Sequence, residues 1–150
     1  MSGETSNLVL ADDDQTVRNL LTMHAERGGF TVRSGENGAE ALELVTENTD
    51  VVLLDLQMPV LDGFGALELL GREHPGVPAV VLTSVDEAAE AVKAMKLGAL
   101  DYLTKPFDPD ELLAVLRNAK RLRRAELENE QLREALGGRG PVVQIVAESE

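Results

Sequence analysis

The sequence predicts an α/β fold: a doubly wound, five-stranded parallel sheet of order 2-1-3-4-5 with five helices, the last of them extended. Three observations carry this expectation. Strand-like and helix-like segments alternate five times along the 150 residues. The strand segments are continuous apolar runs, the mark of strands covered by helices on both faces of a parallel sheet. Right-handed crossovers then leave few topologies. The flavodoxin-like order places strands 1 and 3 at the switch point, where ligands bind beyond the carboxyl ends of the strands.

The elements follow in order. Leu8-Val9-Leu10-Ala11 is the first strand, and Gln15–Arg27 the first helix, closed by Gly28-Gly29. Phe30–Arg33 and Ala39–Glu47 form the second strand and helix. Val51–Asp55 is the third strand; Pro59 and Gly63 break the chain before a helix over about Gly63–Arg72. Ala79–Leu82 leads to a helix over Glu87–Leu97, closed by Gly98. Asp101–Thr104 is the fifth strand. The last helix has a clear start: Asp108 as N-cap, Pro109 at the first helical position and Glu111 placed to complete a capping box.

That helix meets no stop signal until Gly137-Gly138. From Val115 a 3-4 spacing runs through Asn118, Leu122, Ala125, Asn129, Leu132 and Leu136, a short seam for a parallel two-stranded coil. Asn129 at an a position favours a dimer in fixed register, and Glu128 and Arg133 fall where parallel chains pair across the rim. Arg117, Lys120, Arg121, Arg123 and Arg124 form a basic cluster, read as a solvated face balanced by Glu126, Glu128 and Glu130 rather than as a nucleic-acid contact. Three segments are expected: a domain over 1–118, a helical linker over 119–137, and a flexible tail over 138–150. In the tail, Val142–Val146 reads as the first strand of a further domain.

Composition excludes several classes. With 43% hydrophobic and 27% charged residues the chain is an ordinary globular one, and 3% aromatics leave a core of Leu, Val and Ala. A net charge of −13 argues against a nucleic-acid-binding surface over the whole domain. The absence of cysteine excludes thiolate chemistry and Cys-based metal sites. No signal-peptide pattern opens the chain, and no apolar run approaches the ~18 residues of a membrane span, so a cytoplasmic protein is expected.

The chemistry gathers at the strand ends. Asp12-Asp13, Asp55, Thr83-Ser84 and Lys105-Pro106 each follow a strand and converge on one sheet edge. Carboxylates packed so closely repel one another, and a hard divalent cation joins them. Mg²⁺ fits, because it binds through one or two carboxylates plus phosphate oxygens. A carboxylate can attack phosphorus to form an acyl phosphate. Lys105 would then supply a point charge, and Thr83 a hydroxyl donor, to the phosphoryl oxygens. His24 and His74 are read as surface residues with no part in this.

These motifs together resemble the response-regulator receiver domains of two-component signalling, from about Asn7 to Asn118. The residues that carry the resemblance are Asp12-Asp13, Asp55-Leu56-Gln57-Met58-Pro59 with Asp62-Gly63, Thr83-Ser84, Tyr102 and Lys105-Pro106-Phe107. The resemblance implies that Asp55 accepts a phosphoryl group from a phosphohistidine of a sensor histidine kinase. It implies Mg²⁺ held by Asp12 or Asp13, Asp55 and the backbone carbonyl of Gln57. Thr83 and Tyr102 would be a switch pair, and the Lys105–Pro106 peptide would be cis. Arg18, five residues after Asp13, supports this register of the acidic pair, although Asp14 as a third acid permits a slip by one.

The C-terminal part is similar to the NtrC-type activators of sigma-54 promoters, in which a receiver is joined by a coiled linker to an AAA+ ATPase. Val143–Ser149 resembles the opening of that ATPase, with Ala147 where a glycine is usual. No G-x-x-x-x-G-K-S/T loop occurs here, so this sequence itself holds no P-loop ATPase site; DNA is expected to be reached only through domains downstream of it. The implied partners are the kinase and a second copy of the chain, met through the linker coil or the face of the fourth helix and fifth strand. Two alternatives stand: a receiver-like dimerisation module without phosphotransfer, and an aspartyl-nucleophile phosphatase. The phosphatase would place its acid/base two residues after the nucleophile, where this chain has Gln57.

Overall fold

A computed structural model describes residues 5–136. The Gly137-Gly138 break and the Val142–Val146 segment lie outside the described residues. The elements are β1 (Ser6–Ala11), α1 (Gln15–Arg27), β2 (Phe30–Gly35), α2 (Gly38–Leu44), β3 (Val51–Asp55), α3 (Gly63–Glu73), β4 (Ala79–Ser84), α4 (Ala88–Lys96), β5 (Asp101–Lys105) and α5 (Pro109–Ala135). The five strands form one parallel sheet of order β2-β1-β3-β4-β5, as expected.

Strand alternation divides the core in two. Leu8, Leu10, Val51, Leu53, Val80, Leu82 and Leu103 face α1 and α5, where they meet Leu21, Ala25, Leu112, Leu116 and Ala119. Val9, Ala11, Val52, Leu54, Ala79 and Val81 face the other way, against Ala41, Ala66, Leu67, Leu70 and Ala94 of α2, α3 and α4. Complete burial of a leucine contributes roughly 1.5–3 kcal/mol. This double cover, not strand propensity, holds the sheet.

One boundary moves. α2 ends at Leu44, short of the expected Glu47. Val45 turns extended, Thr49 Oγ1 accepts from the Thr46 amide at 2.9 Å, and Thr46 Oγ1 accepts from Asn48 at 3.1 Å. The two hydroxyls offer the backbone a turn in place of a last helical turn.

The basic cluster of α5 is the larger correction. Arg117 and Arg121 are exposed as expected, but Lys120, Arg123 and Arg124 are not a solvated face. Arg124 grips the carboxylate of Asp50 with two hydrogen bonds, Nε to Oδ1 at 2.7 Å and Nη2 to Oδ2 at 2.9 Å. The same guanidinium donates to the Thr5 carbonyl at 2.6 Å. Asp50 is buried, and its Oδ2 also accepts from the Asn7 amide at 2.8 Å. Arg123 is buried too, donating to the Glu47 carbonyl at 3.2 Å, and Lys120 donates to Ser6 Oγ at 2.6 Å. These side chains clasp the amino ends of β1 and β3. The buried stripe Leu112, Leu116, Ala119 and Arg123 therefore keeps α5 on the domain past Asn118. Val115, the first position of the expected seam, packs against the domain core, whereas Leu122, Ala125, Asn129, Leu132 and Leu136 are exposed.

Removal of one partner from a buried ion pair strands the other charge and costs about 3–5 kcal/mol; here the partly exposed guanidinium lowers that to about 2–3. Arg124→Ala is expected to lose about that much stability in urea unfolding. The Glu126–Arg133 pair is 4.0 Å apart and more than half exposed, so Glu126→Ala is expected to change stability by under about 0.5 kcal/mol.

Candidate functional site: an acidic pocket at the carboxyl edge of the sheet

β1 and β3 are neighbours, so their carboxyl ends deliver Asp12 and Asp55 side by side. Both are buried, and Asp13 beside them is exposed. One carboxylate oxygen from each of Asp12, Asp13 and Asp55 lies within 4.8 Å of the others. β5 ends on Lys105, whose Nζ is 3.1 Å from Asp12 Oδ2 and 3.3 Å from Asp55 Oδ2. The Lys105–Pro106 peptide is cis, as expected. Alternation explains the convergence: Asp12, Asp55 and Lys105 continue the series of Leu10, Leu53 and Leu103 on one face.

The loops are tied locally. Asp12 Oδ1 accepts from the Asp14 amide at 2.9 Å. Asp14 caps α1, accepting from Thr16 at 2.9 Å and Val17 at 3.4 Å. The third acid is thus spent on the helix, while the first two cluster with Asp55. Asp55 Oδ1 accepts from the Gln57 amide at 3.2 Å, and the Gln57 side chain donates to Glu90 Oε1 at 2.8 Å, linking this loop to α4. Asp62 caps α3 through Gly65. Between them Val60 has φ +68, and Leu61 donates to the Pro59 carbonyl at 2.7 Å. This is a tight three-residue turn in a backbone conformation that disfavours a β-branched residue.

Electrostatics mark Asp55. Burial raises its pKa from 3.8 to about 6; Asp12 adds to the rise, while Lys105 and the Gln57 amide oppose it. Burial works against the Lys105 ammonium, but Asp55 and Asp12 outweigh that and lift it above the ordinary lysine value. Among the described residues three buried side-chain polar atoms have no hydrogen-bond partner: Arg123 Nε on α5 and, at the carboxyl edge of the sheet, Asp12 Oδ2 and Thr83 Oγ1. The ammonium near Asp12 Oδ2 supplies charge without hydrogen-bond geometry. An orphaned carboxylate oxygen among three acids fits a hard cation, and an orphaned hydroxyl fits an incoming anionic oxygen.

The strand pairing Val81↔Tyr102 and Thr83↔Thr104 puts Thr83 and Tyr102 on the same sheet face. Thr83 is buried, while the Tyr102 ring is 45% exposed and so points outward. His24 is half-buried, edge-on to Phe107 at 6.1 Å, and His74 ends α3; neither enters the pocket.

The model of the response regulator receiver domain matches residues 8–117. The chain belongs to the response regulator receiver family. Over 111 residues it is 40% identical to the DNA-binding transcriptional regulator NtrC of Escherichia coli K12, covering 73% of this chain and 24% of that protein. It is 35% identical over 132 residues to the regulatory protein AtoC of the same strain, covering 87% of this chain and 29% of AtoC. The transcriptional regulatory protein SrrA of Staphylococcus aureus matches at 39% over 123 residues, 81% of this chain and 50% of SrrA. The chain thus spans about a quarter to a half of the length of these relatives. Among solved structures, a receiver domain protein from Clostridium thermocellum superposes with a TM-score of 0.74 at 30% identity, covering 81% of this chain and 98% of that one. NtrX from Brucella abortus, crystallised with ATP, superposes with a TM-score of 0.80 at 26% identity, over 86% of this chain and 30% of that chain. Receiver domains as a family bind Mg²⁺ at an acidic pocket of the kind formed here by Asp12, Asp13 and Asp55. Among the described residues no helix is long and apolar enough to cross a membrane.

Two outcomes are expected. Between pH 3.8 and about 6 the native state binds more protons at Asp55 than the unfolded chain does, so metal-free stability falls as pH rises through that window. That rise corresponds to about 3 kcal/mol at most. Asp55→Asn, which cannot ionise, is expected to melt higher than the wild type at pH 7 without Mg²⁺ and to lose that advantage near pH 4. Val60→Gly relieves a left-handed turn costing about 1–2 kcal/mol and adds about 0.5–1 of chain entropy. A net gain of about 0.5–1 kcal/mol is expected in urea unfolding.

Proposed function

We propose that this chain is a phosphorylation-activated signalling switch whose Asp55 takes a phosphoryl group from a phosphohistidine of a sensor histidine kinase. The observation that carries this is the buried Asp55 carboxylate held between a lysine and two further acids, with an orphaned Thr83 hydroxyl nearby. A carboxylate oxygen of Asp55 attacks phosphorus, a P–O bond forms, and the P–N bond to the donor imidazole breaks. Asp12, Asp13, Asp55 and the backbone carbonyl of Gln57 would hold Mg²⁺, which when bound neutralises charge on the transferring phosphoryl oxygens. The Lys105 ammonium takes a second oxygen and is released from Asp55 as that carboxylate becomes an acyl phosphate. Thr83 Oγ1 donates to a third. Its movement toward the phosphoryl group vacates space on the face it shares with Tyr102, and the exposed ring turns inward.

The chain is in this reading a phosphoacceptor with self-catalysed gain and loss of phosphate, not an enzyme acting on other substrates. It is cytoplasmic, and its output is a downstream domain. Similarity to NtrC and AtoC, together with a helix continuing from the receiver, supports a sigma-54-dependent transcription activator. A second copy pairs in parallel along the exposed Leu122, Asn129, Leu132 and Leu136. Parallel pairing sets Arg121 against Glu126, and Glu128 against Arg133, across the rim. A pure dimerisation module would have no use for the intact acidic pocket. A phosphatase would need a proton donor where Gln57 instead bonds Glu90.

Asp55→Asn is expected to abolish phosphate uptake from a phosphohistidine donor and from a small-molecule phosphoramidate; uptake at the wild-type rate would refute the assignment. For the coil, Leu132→Asp is expected to shift sedimentation from dimer to monomer, since each buried leucine contributes roughly 1.5–3 kcal/mol. Glu128→Ala should leave the dimer nearly intact, because a rim pair contributes only about 0.5.

A further inference from the structure

The pocket has a cation other than Lys105 close by, and it touches no carboxylate in the pocket. Arg18, half-buried on α1, sends Nη1 to the backbone carbonyl of Asp12 at 2.8 Å. That carbonyl belongs to the peptide joining Asp12 to Asp13. The other polar groups of Asp12 are already placed. Its amide donates to Gly35 at 3.3 Å, Oδ1 accepts from Asp14, and Oδ2 faces Lys105. Asp13 is different. It is the exposed acid of the three, and no hydrogen bond to its side chain holds it among the described residues. Its direction is therefore set by the backbone on either side. Asp14 fixes one side by capping α1. Arg18 fixes the other. Because Arg18 stands on the helix that Asp14 caps, the cap and the clamp act as one unit.

We propose that Arg18 is a positioning residue of the acidic pocket: it locks the plane of the Asp12–Asp13 peptide and so aims the Asp13 carboxylate at the metal site. This rests on reading Asp12, Asp13 and Asp55 as the Mg²⁺ site. Two effects of Arg18 on a divalent cation have opposite signs. Its positive charge repels the ion, so charge alone predicts tighter Mg²⁺ binding once the guanidinium is removed. Its clamp preorganises a ligand, so positioning predicts weaker binding once the clamp is removed. The sign of the change separates the two.

The test is Mg²⁺ titration of the full chain by NMR at pH 7, with the melting temperature in metal-free buffer measured alongside. Arg18→Ala is expected to weaken Mg²⁺ binding by about 10–100-fold, the range found when a partner orienting a metal ligand is removed. Arg18→Lys retains a donor on a long stem and is expected to recover most of the affinity. Arg18→Met keeps the buried stem without a donor; it should behave as Arg18→Ala does, and it stands in should the alanine variant fail to fold. Affinity equal to or tighter than wild type in Arg18→Ala or Arg18→Met overturns the proposal. So does a lower metal-free melting temperature with unchanged affinity, the signature of a merely structural arginine. A wild-type chain without measurable Mg²⁺ affinity overturns the metal reading itself, and this role with it.

Discussion

The repulsion among three carboxylates at one strand edge is the constraint on which the rest depends. A parallel sheet of this order sets the ends of β1 and β3 beside each other, and the chain fills that place with Asp12, Asp13 and Asp55. Burial makes ionisation of Asp55 costly, and Asp12 makes it costlier. One lysine cannot neutralise three acids, and Asp12 Oδ2 and the Thr83 hydroxyl are both without a hydrogen-bond partner. Such a pocket is electrostatically unsatisfied as it stands, and positive charge entering it relieves the repulsion.

The opposite end of the same strands is fixed just as deliberately. β1 runs from Ser6, held by Lys120, to the edge occupied by Asp12. β3 begins beside Asp50, held by Arg124, and ends at Asp55. Both central strands therefore connect the acidic pocket to α5. The helix is not tethered to the domain by its leucine stripe alone; arginines grip the amino edge of the sheet and set the direction in which the exposed Leu122–Leu136 face leaves it. Charge at one edge and helix direction at the other are thus tied to the same two strands.

Much of this was legible in the sequence. Continuous apolar runs, glycine stops and the Asp108-Pro109 start identified every element, because each signal is local. The pocket was legible for a topological reason: residues that follow strands in a parallel sheet meet at one edge, whatever the details of packing. The remainder depended on contacts distant in sequence. Arg124 meets Asp50 only once α5 has crossed the sheet, and in the sequence it is indistinguishable from a solvated arginine. Asp50 offered a signal, an acid directly before a buried strand, where a partner is required. The shortened α2 followed from threonine hydroxyl turns that apolar periodicity does not register. The Arg18 clamp was hidden because its acceptor is a backbone carbonyl, which carries no residue identity.

Fluorine NMR with beryllofluoride, which stands in for a phosphoryl group on a carboxylate, is the most direct test that the acidic pocket needs a cation before it can accept phosphate. A bound resonance is predicted with the wild-type chain in the presence of Mg²⁺, none without the metal, and none with Asp55→Asn under either condition. A bound resonance of equal intensity without Mg²⁺, or one that survives Asp55→Asn, would contradict the account.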